Sequence, residues 1–202
     1  MENKSSGKRK RYKRKHYRTD IDCVKDSKQI KIQIPDKLKL ILINDCKLVI
    51  INNKLLRIPN AITAEMIIDE YARNRYLNND IHAEKLEMIT TYDFTNSIKY
   101  YFNLLLKSQL LYKSEFDQFT NLLKDTDIEP VSVYGAVHLL RLFVRIGSPL
   151  AYLRIDDLYL NYIKLYVKDF LEFLEENLER KRVDSKLHLV ASDNTVLYCV
   201  LQ

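Results

Sequence analysis

Three glycines and four prolines in 202 residues leave this chain few places to turn sharply. Glycine supplies the positive backbone dihedrals that tight turns need, and proline punctuates strands and loops. A β-sandwich or barrel built from many short strands needs such residues often. A mainly helical fold does not, so the scarcity favours helices. Hydrophobic residues make up 47% of the chain, enough for a sizeable core. The length suits one domain with a tail, or at most two small domains.

The periodicities fill in that outline. "KQIKIQIP" (Lys28 to Pro35) alternates polar and apolar residues and predicts a short strand. After Pro35, Leu38, Leu42, Ile43, Cys46 and Val49 fall at helical spacing, and Asn52-Asn53 marks a turn. Thr63 is a candidate N-cap for a helix with Met66, Ile67 and Tyr71 on one face. Residues 77–92 are polar and read as a loop. Asp93 is a candidate cap for a helix whose apolar face is Phe94, Ile98, Tyr101, Phe102, Leu105 and Leu106. Ser114 then opens a short helix with Phe116, Phe119, Leu122 and Leu123, and Asp125 to Pro130 reads as a linker.

The most apolar run is "YGAVHLLRLFVRIGSPLAY", Tyr134 to Tyr152, with Ser132 as its expected N-cap. His138, Arg141, Arg145 and Ser148 form one narrow polar stripe on a helix that is otherwise apolar almost all round. Such a helix is central, packed on several sides. Ser148-Pro149 should kink or restart it. A long helix follows from Asp156 or Asp157 to about Glu179, lined by Leu158, Tyr162, Leu165, Tyr166, Phe170 and Leu174. "KLHLVASDNTVLYCVLQ" alternates around Ser192-Asp193-Asn194 and predicts a β-hairpin.

Charge divides the chain. The net charge is +6, but residues 1–18 hold nine Lys or Arg and one Glu; from the totals of 33 and 27 this leaves 24 basic against 26 acidic residues elsewhere. Residues 1–27 therefore read as a disordered basic tail, whose Lys8, Arg9, Lys10, Arg11, Lys13, Arg14, Lys15 and Arg18 suit nuclear import, contact with nucleic-acid phosphates, or both. Cys23, Cys46 and Cys199 are odd in number, far apart and without CxxC spacing, which argues against a disulfide framework or a zinc site. No apolar run reaches the ~18–20 residues that span a bilayer, and no signal-peptide core is present. The expectation is a soluble intracellular protein.

Catalytic patterns are scarce. There is no HExxH, no phosphate-cradling glycine loop and no GxSxG elbow. "HLLR" (His138 to Arg141) has the His-x-x-Arg spacing with which tyrosine recombinases clamp a scissile phosphate, and Tyr159, Tyr162 and Tyr166 lie downstream as candidate nucleophiles. The required second arginine and hairpin lysine have no counterparts, and a net negative body is wrong for a DNA clamp. DNA strand cleavage is the alternative reading; its cheap discriminator is whether His138 and Arg141 face an open electropositive cleft.

Four stretches, in order, carry a resemblance. "IQIPDKLKLILINDCKLV", "LRIP" followed by "IIDEYA", "YFNLLLKSQLLYK" and "YGAVHLLRLFVRIGSPLAY" are similar to the sequence of the MRG domain of MORF4-related chromatin proteins, over about residues 28–195. The resemblance implies an MRG domain over 28–202: mainly α, a multi-helix orthogonal bundle with a small β-hairpin. It implies no enzymatic activity, cofactor or metal. It implies a nuclear adaptor in histone acetyltransferase and deacetylase complexes, binding short partner peptides, often with a Phe-x-Leu-Pro core, in a hydrophobic groove. The family's groove positions fall here on Ile34, Leu42, Ile43, Cys46, Tyr112, Val144 and Arg145. Cys46 stands where the family usually has Trp, which predicts a wider or shallower pocket. Ser148-Pro149 replaces a small apolar pair. The residues before the domain are too few for the methyl-lysine-reading chromodomain of many relatives, so the tail is expected to supply nonspecific DNA or nucleosome attraction. An exposed apolar groove also leaves room for a homodimer.

Overall fold

The central helix organises the rest. A computed structural model describes residues 30–77, 84–123, 127–152, 155–188 and 198–199. In chain order these form α1 (Asp36–Cys46), which widens into a π-helical turn Lys47–Ile51, then β1 (Leu55–Leu56), α2 (Ala64–Leu77) and α3 (Glu84–Leu105). A π-turn Leu106–Leu110, a 3₁₀ turn Lys113–Glu115 and α4 (Phe116–Leu123) follow. A 3₁₀ turn Pro130–Ser132 leads into α5 (Ala136–Arg145), α6 (Gly147–Tyr152), α7 (Asp157–His188) and β2 (Tyr198–Cys199). The fold is mainly α, as the glycine scarcity indicates.

α5 buries His138, Leu139, Leu140, Arg141, Leu142 and Phe143. It packs against α1, α2, α3, α6 and the Leu106–Leu110 turn, so its nearly all-round apolar pattern corresponds to partners on nearly all sides. Around it, Tyr71, Phe170 and Phe173 meet edge-on, with ring centroids 4.9 Å apart for Tyr71–Phe170 and 5.3 Å for Tyr71–Phe173. α7 is held to α2 by the Tyr71 hydroxyl donating to Asp169 at 2.7 Å and by Asn177 donating to Glu70 at 2.7 Å. Lys37 ties α1 to Glu179 of α7 at 2.6 Å.

Several expectations hold locally. Thr63 accepts the Met66 N–H at 3.2 Å and Asp156 accepts the Tyr159 N–H at 2.7 Å, as N-caps do. Asn53 takes φ 51° in the turn after the π-helix, a conformation Asn tolerates. Ile98, Phe102, Leu105 and Leu106 are buried, with Phe94 and Tyr101 packed beside them. The α5 interruption falls at Ile146, two residues before Ser148-Pro149. Pro149 then sits in the first turn of α6, where a missing N–H costs no intrahelical bond.

Others are corrected. Residues 30–35 form no strand. Ile30, Ile32 and Ile34 do pack on the core while Lys31 and Gln33 face outward, so the period of two is real but has no ladder partner. This segment crosses the α5–α6 junction so closely that any Cβ at Gly147 would collide with the Ile30 carbonyl oxygen. The loop expected over 77–92 contains the first turns of α3, which starts at Glu84, and Asp93 lies inside that helix rather than capping it. Ser132 belongs to the 3₁₀ turn and donates to the Glu129 carbonyl; Gly135 occupies the N-cap of α5. Ser114 likewise lies within a 3₁₀ turn. Met66 is exposed and Ile68 buried in its place on α2, and on α7 Leu158, Tyr162 and Leu165 are exposed while Val167, Leu171 and Phe173 join the core. α7 runs nine residues past Glu179, to His188. The small sheet pairs Leu55 with Cys199 and Leu56 with Tyr198, joining segments far apart in the chain, while Lys186 to His188, expected in the first arm of the C-terminal hairpin, end α7 instead. The rest of that expected hairpin beyond His188, and the basic tail, lie outside the described residues.

Candidate functional site

Arg141 sits near the middle of α5, 5% exposed, where an unpaired charge would be prohibitively costly. All five of its N–H groups have acceptors. Nε and Nη2 each donate to the Asp45 carboxylate of α1 at 2.9 Å, a bidentate fork. Nη1 donates to Glu115 Oε2 at 2.6 Å and to the Leu110 carbonyl at 3.0 Å, and Nη2 also reaches Glu115 Oε1 at 3.1 Å. The Tyr112 ring lies over the guanidinium at 4.1 Å. One arginine thus clasps α1, the π-turn and the 3₁₀ turn onto the central helix.

The carboxylates are equally committed. Asp45 is 0% and Glu115 2% exposed. Glu115 also accepts the Tyr112 N–H at 2.7 Å and faces His138 Nε2 at 3.1 Å. Burial pushes the Glu115 carboxyl up, but hydrogen bonds from His138 and Arg141 outweigh it and hold it at about 2. His138 is fully buried; desolvation pulls its pKa down, Glu115 raises it, and Arg141 pulls down further. Its ring is therefore neutral near pH 7, Nε2–H donates to Glu115, and Arg141 is the cation that balances the two carboxylates. Burial pushes the Tyr112 hydroxyl up to about 12; Arg141 opposes the rise, while Asp45 and the neighbouring Cys46 thiol add to it.

This arrangement overturns the recombinase reading. His138 and Arg141 do lie together, but in a sealed ion network and not in an open electropositive cleft. No donor of Arg141 is left for a phosphate. Tyr159 and Tyr162 are exposed on α7. Among the described residues no His, Cys, Asp and Glu group is spaced to hold a metal ion. No helix among them is long and apolar enough to cross a membrane.

The seven positions singled out by resemblance fall on α1 and the segment before it, at Tyr112, and at the C-terminal end of α5. Leu38 and Asp45 mark the buried line of α1. At ~3.6 residues per turn, Leu42, Cys46 and Ile43 step progressively outward from it. Leu42 and Cys46 are half-buried and Ile43 is 51% exposed. Cys46 adjoins Tyr112, which stacks on Arg141. Val144 and Arg145, three and four residues beyond Arg141, end α5 with Val144 52% exposed. α1 and α5 pack together, so these residues lie on neighbouring elements. Ile34 is half-buried against the core on the segment leading into α1. An open depression of about 410 Å³ on α3, lined by Asp93, Asn96, Ser97, Tyr100 and Tyr101, holds none of them. Asp45 and Glu115 escaped the sequence reading, and their partner lies 96 and 26 residues away respectively.

The fold and clasp define a rigid helical scaffold that presents aliphatic and aromatic side chains beside fixed charges. The family model MRG matches residues 8–182, and the chain belongs to the MRG family. It is 39% identical over 150 residues to the NuA4 complex subunit EAF3 homolog of Drosophila melanogaster, covering 74% of this chain and 35% of that protein. It is 36% identical over 157 residues to human Mortality factor 4-like protein 2, covering 77% and 54%. Mortality factor 4-like protein 1 of Pongo abelii is 38% identical over 150 residues, covering 74% and 46%. The chain thus spans about a third to a half of the length of these relatives.

Proposed function

We propose that this protein is a non-enzymatic adaptor of nuclear chromatin-modifying complexes, of the histone acetyltransferase and deacetylase kind. It binds short apolar partner segments of the Phe-x-Leu-Pro type on the α1–α5 face. The observation that carries the reading is the outward exposure of Ile43 and Val144 on two helices clasped by a buried arginine. Isolated surface aliphatics are ordinary, but two of them on packed helices that also carry Arg145, and Cys46 against a stacked Tyr112, have the composition of a binding hot spot. Ile34, Leu42 and Cys46 would form the floor, and Tyr112 the aromatic wall. Family membership supports the adaptor role, as does the name of one relative, the NuA4 complex subunit EAF3 homolog of Drosophila melanogaster. The basic residues from Lys8 to Arg18 would add nuclear import and nonspecific attraction to DNA or nucleosomes.

The test is fluorescence anisotropy of a labelled Phe-x-Leu-Pro peptide against the full chain and its Val144→Glu variant. Saturable binding, weakened at least tenfold in the variant while its melting curve stays unchanged, is the expected result. Equal binding by both proteins would move the site off this face.

A further inference from the structure

The charges around the clasp are arranged asymmetrically. The two carboxylates on its elements, Asp45 and Glu115, point inward and are consumed by Arg141 and His138. The cations point outward. Lys47 directly follows Cys46, Lys113 directly follows Tyr112, and Arg145 lies one turn beyond Arg141; all three are exposed. Cys46, Tyr112 and Arg141 are themselves in mutual register, through the Cys46–Tyr112 contact and the Tyr112–Arg141 stack. The three cations therefore stand next to, or one helical turn from, these three mutually contacting residues. None has an ion-pair partner among the described residues. The exposed carboxylates on the same elements are Asp36, already paired with Lys39 at 2.8 Å, and Asp117. This local excess of positive charge stands on a chain that, outside residues 1–18, holds more acidic than basic residues.

Resting on the proposed function above, we infer that the partner segment of this surface is acidic: Asp or Glu residues flank its apolar anchors and pair with Lys47, Lys113 and Arg145. The apolar anchors fill the face between Ile43 and Val144, and the rim charges select among segments that share those anchors. Rim pairs act mainly through association rate and specificity, and salt screens them. Three weak exposed pairs together favour an acidic over a neutral flank by roughly tenfold at low salt.

The experiment uses the full chain and two labelled peptides with the same Phe-x-Leu-Pro core, one flanked by Asp and Glu, the other by Asn and Gln. Anisotropy is measured at low salt and at high salt, for the natural chain and for the triple variant Lys47→Gln, Lys113→Gln, Arg145→Gln. The expected result is a roughly tenfold preference for the acidic peptide at low salt, lost at high salt and lost in the triple variant. Equal binding of both peptides by the natural chain overturns the inference and leaves the binding face standing. A preference that survives in the triple variant also overturns it, because the basic tail would then be the source. Failure of both peptides to bind overturns the proposed function and this inference together.

Discussion

Arg141→Met isolates the energetics of the clasp. Methionine keeps most of the stem's volume but removes the cation that, among the described residues, balances Asp45 and Glu115, which are 0% and 2% exposed. Breaking a buried ion network by deleting one partner costs about 3–5 kcal/mol, because the remaining charges are stranded. The Glu115 carboxyl gives a similar figure: held at about 2 against a usual 4.5, it reflects about 3 kcal/mol of preference for its ionised form. A loss of that size lowers the melting temperature of a domain this large by roughly 10 °C. The pH dependence has a definite sign. In the natural protein the Glu115 pKa is depressed by folding, so its contribution is complete above about 4.5 and is lost as pH falls toward 2. Without Arg141, burial of the Glu115 carboxyl meets less opposition, and its protonated form is favoured more than in the natural chain. His138, relieved of Arg141, can also take a proton and face Glu115 as a cation. Acidification from pH 7 to 5 therefore narrows the stability gap between variant and natural chain. Urea unfolding followed by circular dichroism at both pH values measures this. A loss under about 1 kcal/mol at pH 7, or a gap that widens on acidification, would refute the reasoning.

Four further outcomes are expected. Gly147→Ala forces the Ile30 segment off the α5–α6 junction; limited proteolysis should cleave near residues 30–35 faster, with stability down by about 1–3 kcal/mol. Tyr71→Phe removes the donor to Asp169 and should cost about 1 kcal/mol in urea unfolding, without loss of helicity. Ile43→Glu, at a half-exposed site, should change stability by no more than about 0.5 kcal/mol yet weaken peptide binding at least tenfold in anisotropy. For the natural chain, desolvation of His138 keeps its pKa below 6.5, so some stability is lost as pH falls below that value, before the carboxylate losses begin; a pH series of melting curves reads both steps.

The features legible in the sequence were those with a local cause. Glycine scarcity, the all-round apolar pattern of α5 and the caps Thr63 and Asp156 each depend on residues a few positions apart. The misses depend on distant ones. Ile30, Ile32 and Ile34 alternate as a strand does, but only the fold decides whether an alternating segment meets a ladder or a helical junction. The α7 residues Leu158, Tyr162 and Leu165 share an apolar spacing with Phe170, yet the bundle does not cover that part of the helix. That a histidine and an arginine on a helix packed on several sides need internal hydrogen-bonding partners follows from the cost of burying them. Their acceptors do not, since Asp45 in "INDCK" and Glu115 in "KSEFD" look like ordinary surface carboxylates. For the candidate face, spacing on α1 and α5 singles out no residue above plain core. Resemblance to the family raised the seven positions, and the exposure of Ile43 and Val144 now separates them from the buried Leu38 and Phe143.

Amide and methyl correlation spectra of the labelled chain, recorded while a Phe-x-Leu-Pro peptide is titrated in, test the central claim most directly. The account predicts saturable shifts concentrated at Ile34, Leu42, Ile43, Cys46, Tyr112, Val144 and Arg145, with Arg141 affected through its stack on Tyr112. Shifts centred instead on the exposed Leu158–Leu165 face of α7, or none at saturating peptide, would contradict it.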